Sequence, residues 1–234
     1  MLREIFSGLD RRVALVLLTS TFVLVALHYG AIAPVFLNQP RPIPTSDLQM
    51  WALMSFGAYF VIPALIVRLA LGCRLRDFGL TLSGFLRHLP LYGGLYLLMV
   101  PVIWIASRQE EFLLTYPFAA TARNGFGPLV TWELFYGLQF FALEFFFRGF
   151  MLFGLEERFG RNAIFVMVVP YCMLHFFKPF PETMGAVGAG VALGIIALRT
   201  RSIFGGVLIH WSVAITMDVM AIQASGGFQA SLTE

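Results

Sequence analysis

Thr131-Trp132-Glu133-Leu134-Phe135-Tyr136-Gly137-Leu138-Gln139-Phe140-Phe141-Ala142-Leu143-Glu144-Phe145-Phe146-Phe147-Arg148-Gly149 is an apolar stretch that carries two carboxylates and a guanidinium. Wound as a helix, it puts Glu133 and Glu144 three turns apart on nearly the same face, with Arg148 one turn beyond Glu144. Whether those charges meet water or lipid decides the fold. The rest of the chain answers: 59% of the 234 residues are hydrophobic and only 12% are charged, about half the usual charged share of a soluble domain. Lipid is the solvent that such a composition fits, and long unbroken apolar runs, without the alternation of a barrel strand, make the spans helical.

A span needs about 20 apolar residues, and stretches near 13–36, 48–72, 88–107, 128–153, 162–177, 183–199 and 203–222 qualify. The expected fold is all-α, a polytopic transmembrane helix bundle of about seven spans, with 1–234 forming one membrane domain. The fifth and sixth stretches are short and are expected to be tilted or partly re-entrant. Pro63, Pro101 and Pro170 fall inside spans as expected kinks. The first run is too long for a signal-peptide core, and Pro34 directly after Ala31-Ile32-Ala33 should impede cleavage, so the segment is expected to remain.

With seven spans, Arg3, Arg11, Arg12, Arg68, Arg74, Arg76, Arg87, Arg158, Arg161, Arg199 and Arg201 share one side, against Arg41, Arg108, Arg123 and Lys178 on the other. The N-terminus is therefore expected in the cytoplasm and the C-terminus outside, in the plasma or inner membrane. The net charge of +3 is spread over short loops, which excludes a nucleic-acid surface. Cys73 and Cys172 match no metal or redox spacing and are expected as free thiols. Residues 73–85 read as an amphipathic interfacial piece, and Trp51, Trp104, Trp132 and Trp211 as belt anchors at span ends.

An ionised side chain at the bilayer centre costs ~2.5–3.5 kcal/mol on insertion scales, so each one is a functional candidate. Besides Glu133, Glu144 and Arg148, the later spans supply His175, His210 and Asp218, and a Lys178-Pro179-Phe180-Pro181-Glu182 segment closes the fifth. The plainest reading is an i,i+4 ion pair of Glu144 with Arg148 that neutralises itself, alongside histidines that only join helices. Two histidines, two glutamates and an arginine on three helices can instead hold and deprotonate a water, with or without a metal. The small residues of 184–194 are expected to pack closely beside this polar core.

Leu143-Glu144-Phe145-Phe146-Phe147-Arg148, Tyr171-x-x-x-His175 and the His210 helix resemble the CPBP family, the Abi-type membrane proteins related to CAAX prenyl endopeptidases, over about 125–222. The resemblance implies an intramembrane endopeptidase, a hydrolase acting on a membrane-anchored or lipid-modified polypeptide. Glu144, Arg148, His175 and His210 would be catalytic, with Glu144 activating water, and Glu133, Asp218, Glu182 and Lys178 would be second-tier candidates. A metalloprotease version would take zinc on His175 and His210. Leu143 stands where the family has its first glutamate, and Ala214 where it has Asn or Asp. Two other classes stay open, a non-catalytic scaffold or chaperone for a membrane protein and a proton-coupled transporter. For His175 and His210 to meet, tilted or re-entrant helices are required.

Overall fold

The computed structural model describes residues 8–38 and 42–228, so Arg3 and Arg41 of the charge count lie outside the described residues. The main elements are α1 (Arg11–Leu37), α2 (Thr45–Ala70), α3 (Leu89–Ala106), α4 (126–159), α5 (Ala163–Met173), α6 (Phe180–Thr200) and α7 (Phe204–Ala224). A single bridge between Ile43 and Ala119 is the only extended pairing among the described residues. Six helical stretches there are long and apolar enough to cross a membrane, and one of them, Phe126–Met173, is 48 residues long. About 20 residues suffice for one crossing. The reversal at Gly160, whose φ of +53° favours glycine, divides that stretch into α4 and α5 and gives seven apolar runs.

The helix with most charge is the one farthest from lipid. In the most apolar window of α4–α5, 89% of residues are buried, against 11% in the stretch that contains α3. All nine residues of Phe145–Phe153 are buried, as expected for a helix apolar all round at the centre of a bundle. This segment winds in wider π-type turns that begin one residue after Glu144, a geometry that recurs at functional sites. Helices α1, α2, α5 and α6 pack around it, and α7 packs on α3 and on the first half of α4.

The ends of the bundle sort the charges. At one end Arg12 donates to Glu157 at 2.8 Å and Arg201 to Glu156 at 2.6 Å, while the backbone N–H of Ile203 donates to the Gly79 carbonyl at 3.0 Å. The 72–88 segment is thereby tucked under the α6–α7 turn. Its Phe78 is buried and its Leu82 and Leu86 are exposed, so part of the expected amphipathic piece belongs to the core. Residues 110–124, which include the short helix Glu110–Thr115, close the opposite end together with the α5–α6 turn.

Three of the four tryptophans are not belt anchors. Trp51 and Trp132 are buried, Trp211 is hydrogen-bonded inside the bundle, and Trp104 alone is exposed, under the Arg108 guanidinium at 4.4 Å. Proximity to a span end fixes depth but not the direction in which a ring points. Small residues in α6 work on one face: Gly190 and Gly194 meet Tyr171, Val168, Ile164 and Met167 of α5, whereas Gly185 and Gly188 meet nothing. Both cysteines are free thiols. Pro63 lies between two π-type segments of α2, Gly57–Val61 and Ile66–Ala70, whereas Pro101 and Pro170 lie within α-helical stretches.

Helices α4 and α7 approach closely because Trp211 lies flat against Gly137, where an added Cβ would overlap the indole. Gly137→Ala is expected to lower stability by about 1–3 kcal/mol through overpacking. Gly185→Ala, placed in open space, should stay within about 0.5 kcal/mol. Unfolding of the purified protein in detergent measures both.

Candidate functional site

One ridge of α4 carries Trp132, Tyr136, Phe140, Glu144 and Arg148 at successive i,i+4 positions. The first three rings follow one another, Trp132 stacked on Tyr136 at 4.7 Å and Tyr136 tilted against Phe140 at 4.4 Å between centroids, and Phe140 then meets the His210 ring at 4.4 Å. Glu144 and Arg148 are both fully buried, and Arg148 Nη1 lies 3.1 Å from Glu144 Oε1. The contact is an ion pair without hydrogen-bond alignment, and the guanidinium also faces the Tyr171 ring at 4.1 Å. That ring supplies a cation–π surface to the buried guanidinium.

Glu144 Oε1 has a second partner, His210 Nδ1 at 3.0 Å. A carboxylate only accepts, so the imidazole donates through Nδ1 and its Nε2 carries the lone pair. The other carboxylate oxygen presses on Gly206, one turn before His210, at a position where any side chain would collide with it. His175 lies just past the end of α5, with Nδ1 3.1 Å from the Tyr171 carbonyl. A carbonyl accepts as well, so His175 likewise keeps a bare Nε2.

The two histidines share one cavity of about 50 Å³. Space of that size holds a few waters. Gln139, Tyr136, Leu143 and Lys178 also line it, between aromatic walls that include Phe118, Phe140 and Phe177. Tyr171 stands beside both imidazoles, its centroid 5.0 Å from His175 and 6.3 Å from His210. The meeting is possible because α5 has only 11 residues. At 1.5 Å per residue it rises about 16 Å, half the ~30 Å of hydrocarbon, and so ends at mid-depth.

Lys178, on the cavity lining, is held by a polar network. Its ammonium donates to Glu182 at 2.7 Å and to the Tyr116 hydroxyl at 3.0 Å, and Tyr116 donates in turn to Glu182 at 2.7 Å. Burial, with the Glu182 carboxylate beside it, holds the Tyr116 hydroxyl well above its ordinary value, so it remains a donor. The structure thus puts His175, His210 and Lys178 on the lining of one cavity, with the Glu144–Arg148 pair bonded to His210 and Glu182 bonded to Lys178 outside that lining. Glu133 and Asp218 stand apart from its lining, in contact with Trp211 and Trp132.

Tyr171 entered the sequence reading only as part of the motif with His175, and Tyr116, Gln139 and Gly206 were not singled out as parts of the site. A polar Gln139 between two glutamates of one span was a readable signal. Nothing local marked Tyr116, which reaches the site from a loop. A catalytic zinc takes three protein ligands. The described residues bring together no group of three His, Cys, Asp or Glu side chains suited to a metal, and Glu144 Oε1 is already held by His210 and Arg148. The donor set facing the cavity is two imidazoles, which does not complete a zinc site, and the chemistry below rests on side chains alone.

A polytopic helical membrane protein with an internal carboxylate–arginine–histidine cluster opening on a mid-depth cavity is the class that fold and site define. The model of the type II CAAX prenyl endopeptidase Rce1-like family matches residues 92–216, just over half of the chain. The chain belongs to that family, a family of membrane proteases. No curated protein and no solved structure matches it.

Arg148→Met removes the counter-ion of a fully buried carboxylate, and is expected to cost about 3–5 kcal/mol. Adding Glu144→Gln should recover part of that loss. Stability of the two single variants and the double variant, measured as a cycle, gives the coupling.

Proposed function

We propose that the protein is an intramembrane endopeptidase that hydrolyses a peptide bond of a membrane-anchored or lipid-modified polypeptide at the cavity between α4, α5 and α7. The observation that carries this reading is the pair of bare imidazole Nε2 atoms on one cavity, with Glu144 behind His210. A water donating its two hydrogens to those nitrogens is left with an oxygen lone pair for attack. His210 takes a proton from this water as the oxygen bonds to the carbonyl carbon, and Glu144, held in place by Arg148, steadies the imidazolium that forms.

Gln139 and Lys178 are the donors on the cavity wall suited to the carbonyl oxygen as it becomes an oxyanion. The C–N bond then breaks, and His210 returns its proton to the departing amine. In this scheme Glu144 does not meet the water; His210 stands between them, and Glu144 is a positioning residue. Arg12, Arg74, Arg76, Arg87 and Arg158 belong to segments gathered at one end of the bundle, which supports a cytoplasmic N-terminus.

A second reading has an observation of its own. Leu143 on the cavity wall and the buried Ala214 are apolar at positions where the family resemblance calls for polar groups. They suit a member that binds a polypeptide and stabilises it without cutting. The two readings separate when purified wild type and His210→Ala are reconstituted in liposomes with membrane proteins of the host, and new protein termini are sequenced. The endopeptidase reading expects termini made by wild type that fall about 10²–10⁴-fold with His210→Ala. It expects a comparable loss of kcat with little change in KM for Glu144→Gln. No new termini with either protein, but a host membrane protein whose level depends on this chain, would establish the scaffold reading instead.

A further inference from the structure

Glu133 and Asp218 form a second polar centre that the scheme above does not use. They lie across the α4–α7 interface and are held by crossed indoles: Trp132 of α4 donates to Asp218 Oδ2 at 2.7 Å, and Trp211 of α7 donates to Glu133 Oε2 at 3.3 Å. Both residues are more than nine-tenths buried. The remaining oxygens, Glu133 Oε1 and Asp218 Oδ1, are buried without a donor, although the two carboxyls are close enough to hydrogen-bond to each other.

No ammonium or guanidinium pairs with either carboxyl among the described residues. The cations that face Asp218 from other elements are Lys178, which is bonded to Glu182 and Tyr116, and Arg123, which donates to the carbonyls of Leu113 and Tyr116. Tyr136 on α4 and Tyr116 on the cap also face the pair, and neither supplies positive charge. Two adjacent carboxylates cannot both ionise in a water-poor interior, and a carboxyl with no partner of opposite charge resolves this by keeping a proton.

We propose that Glu133 and Asp218 are a proton-binding site in which one proton is shared between Glu133 Oε1 and Asp218 Oδ1, as an acid–carboxylate pair. The single O–H···O bond satisfies both unpartnered oxygens at once and leaves one negative charge, on which the two indole N–H groups act. The site also fixes the rotation of α7 against α4, because Trp211 is seated on Gly137 and follows directly after His210. Loss of the proton would set two like charges across this seam and loosen it. The proposal is independent of peptidase activity.

The test uses the full chain in detergent or lipid. Infrared difference spectra of wild type at neutral pH should contain the carbonyl stretch of a protonated, buried carboxyl, shifted by deuteration and lost in both Glu133→Gln and Asp218→Asn. In water both carboxyls ionise near pH 4, so unfolding releases the shared proton at neutral pH. Between roughly pH 6 and 8 the unfolding equilibrium of wild type should therefore rise with pH by about tenfold more per pH unit than that of either variant, the histidines contributing alike to all three. A wild-type spectrum without such a band would overturn the proposal even if neither variant folds. So would a band that survives in one variant, because the proton would then belong to one residue and would not be shared.

Discussion

The ion pair of Glu144 with Arg148, removed from both water and lipid, is the constraint around which the bundle is arranged. A charge left facing hydrocarbon would be expelled toward an interface, whereas a paired one can stay at mid-depth if neighbouring side chains supply the missing polar contacts. Here the supply comes from His210 on Nδ1 and from the face of Tyr171, and the seal comes from the buried run Phe145–Phe153. The helix that carries the charge consequently sits at the centre, with apolar helices around it, the reverse of a soluble domain. Once Glu144 is fixed, Gly206 must be small and His210 must turn its Nε2 away, toward the cavity.

Most of the fold was legible because membrane solvation leaves a coarse signal. Seven apolar runs, their helical nature and the grouping of arginines follow from lengths and composition alone. The structure returns the same runs, with α4 and α5 continuous except at Gly160. Less legible was which face of each helix meets which neighbour, since in a bundle apolar on all sides no amphipathic stripe marks the inside. This is why Trp132 and Trp211 read as interfacial anchors although both donate to buried carboxylates. Glu144, Arg148, His175 and His210 were legible because ionisable groups are costly in lipid. Their order was not: the resemblance gave Glu144 the water-activating role, whereas the cavity is lined by His210, and Glu144 contacts that ring from outside the lining.

Along α4 two acidic centres are separated by a stack of aromatic rings, Trp132, Tyr136 and Phe140. The centre at Glu144 has a cation and a histidine and faces a cavity; the centre at Glu133 has indoles and a second carboxyl and faces none. The same residue type is thereby given two environments, one beside a guanidinium and an imidazole and one beside indoles and a second carboxyl. Both centres span the seam between α4 and α7, and Trp211, seated on Gly137, lies between them in that seam.

The claim on which this account turns is the tautomer of His210, since a base needs its Nε2 lone pair in the cavity. Solid-state nitrogen NMR of histidine-labelled protein in lipid, with His210 assigned by its loss in His210→Ala, reads that directly. The account predicts a neutral imidazole with hydrogen on Nδ1 and a bare Nε2 at neutral pH. Hydrogen on Nε2, with Nδ1 bare, would contradict it, because Glu144 would then not be the partner that sets the ring.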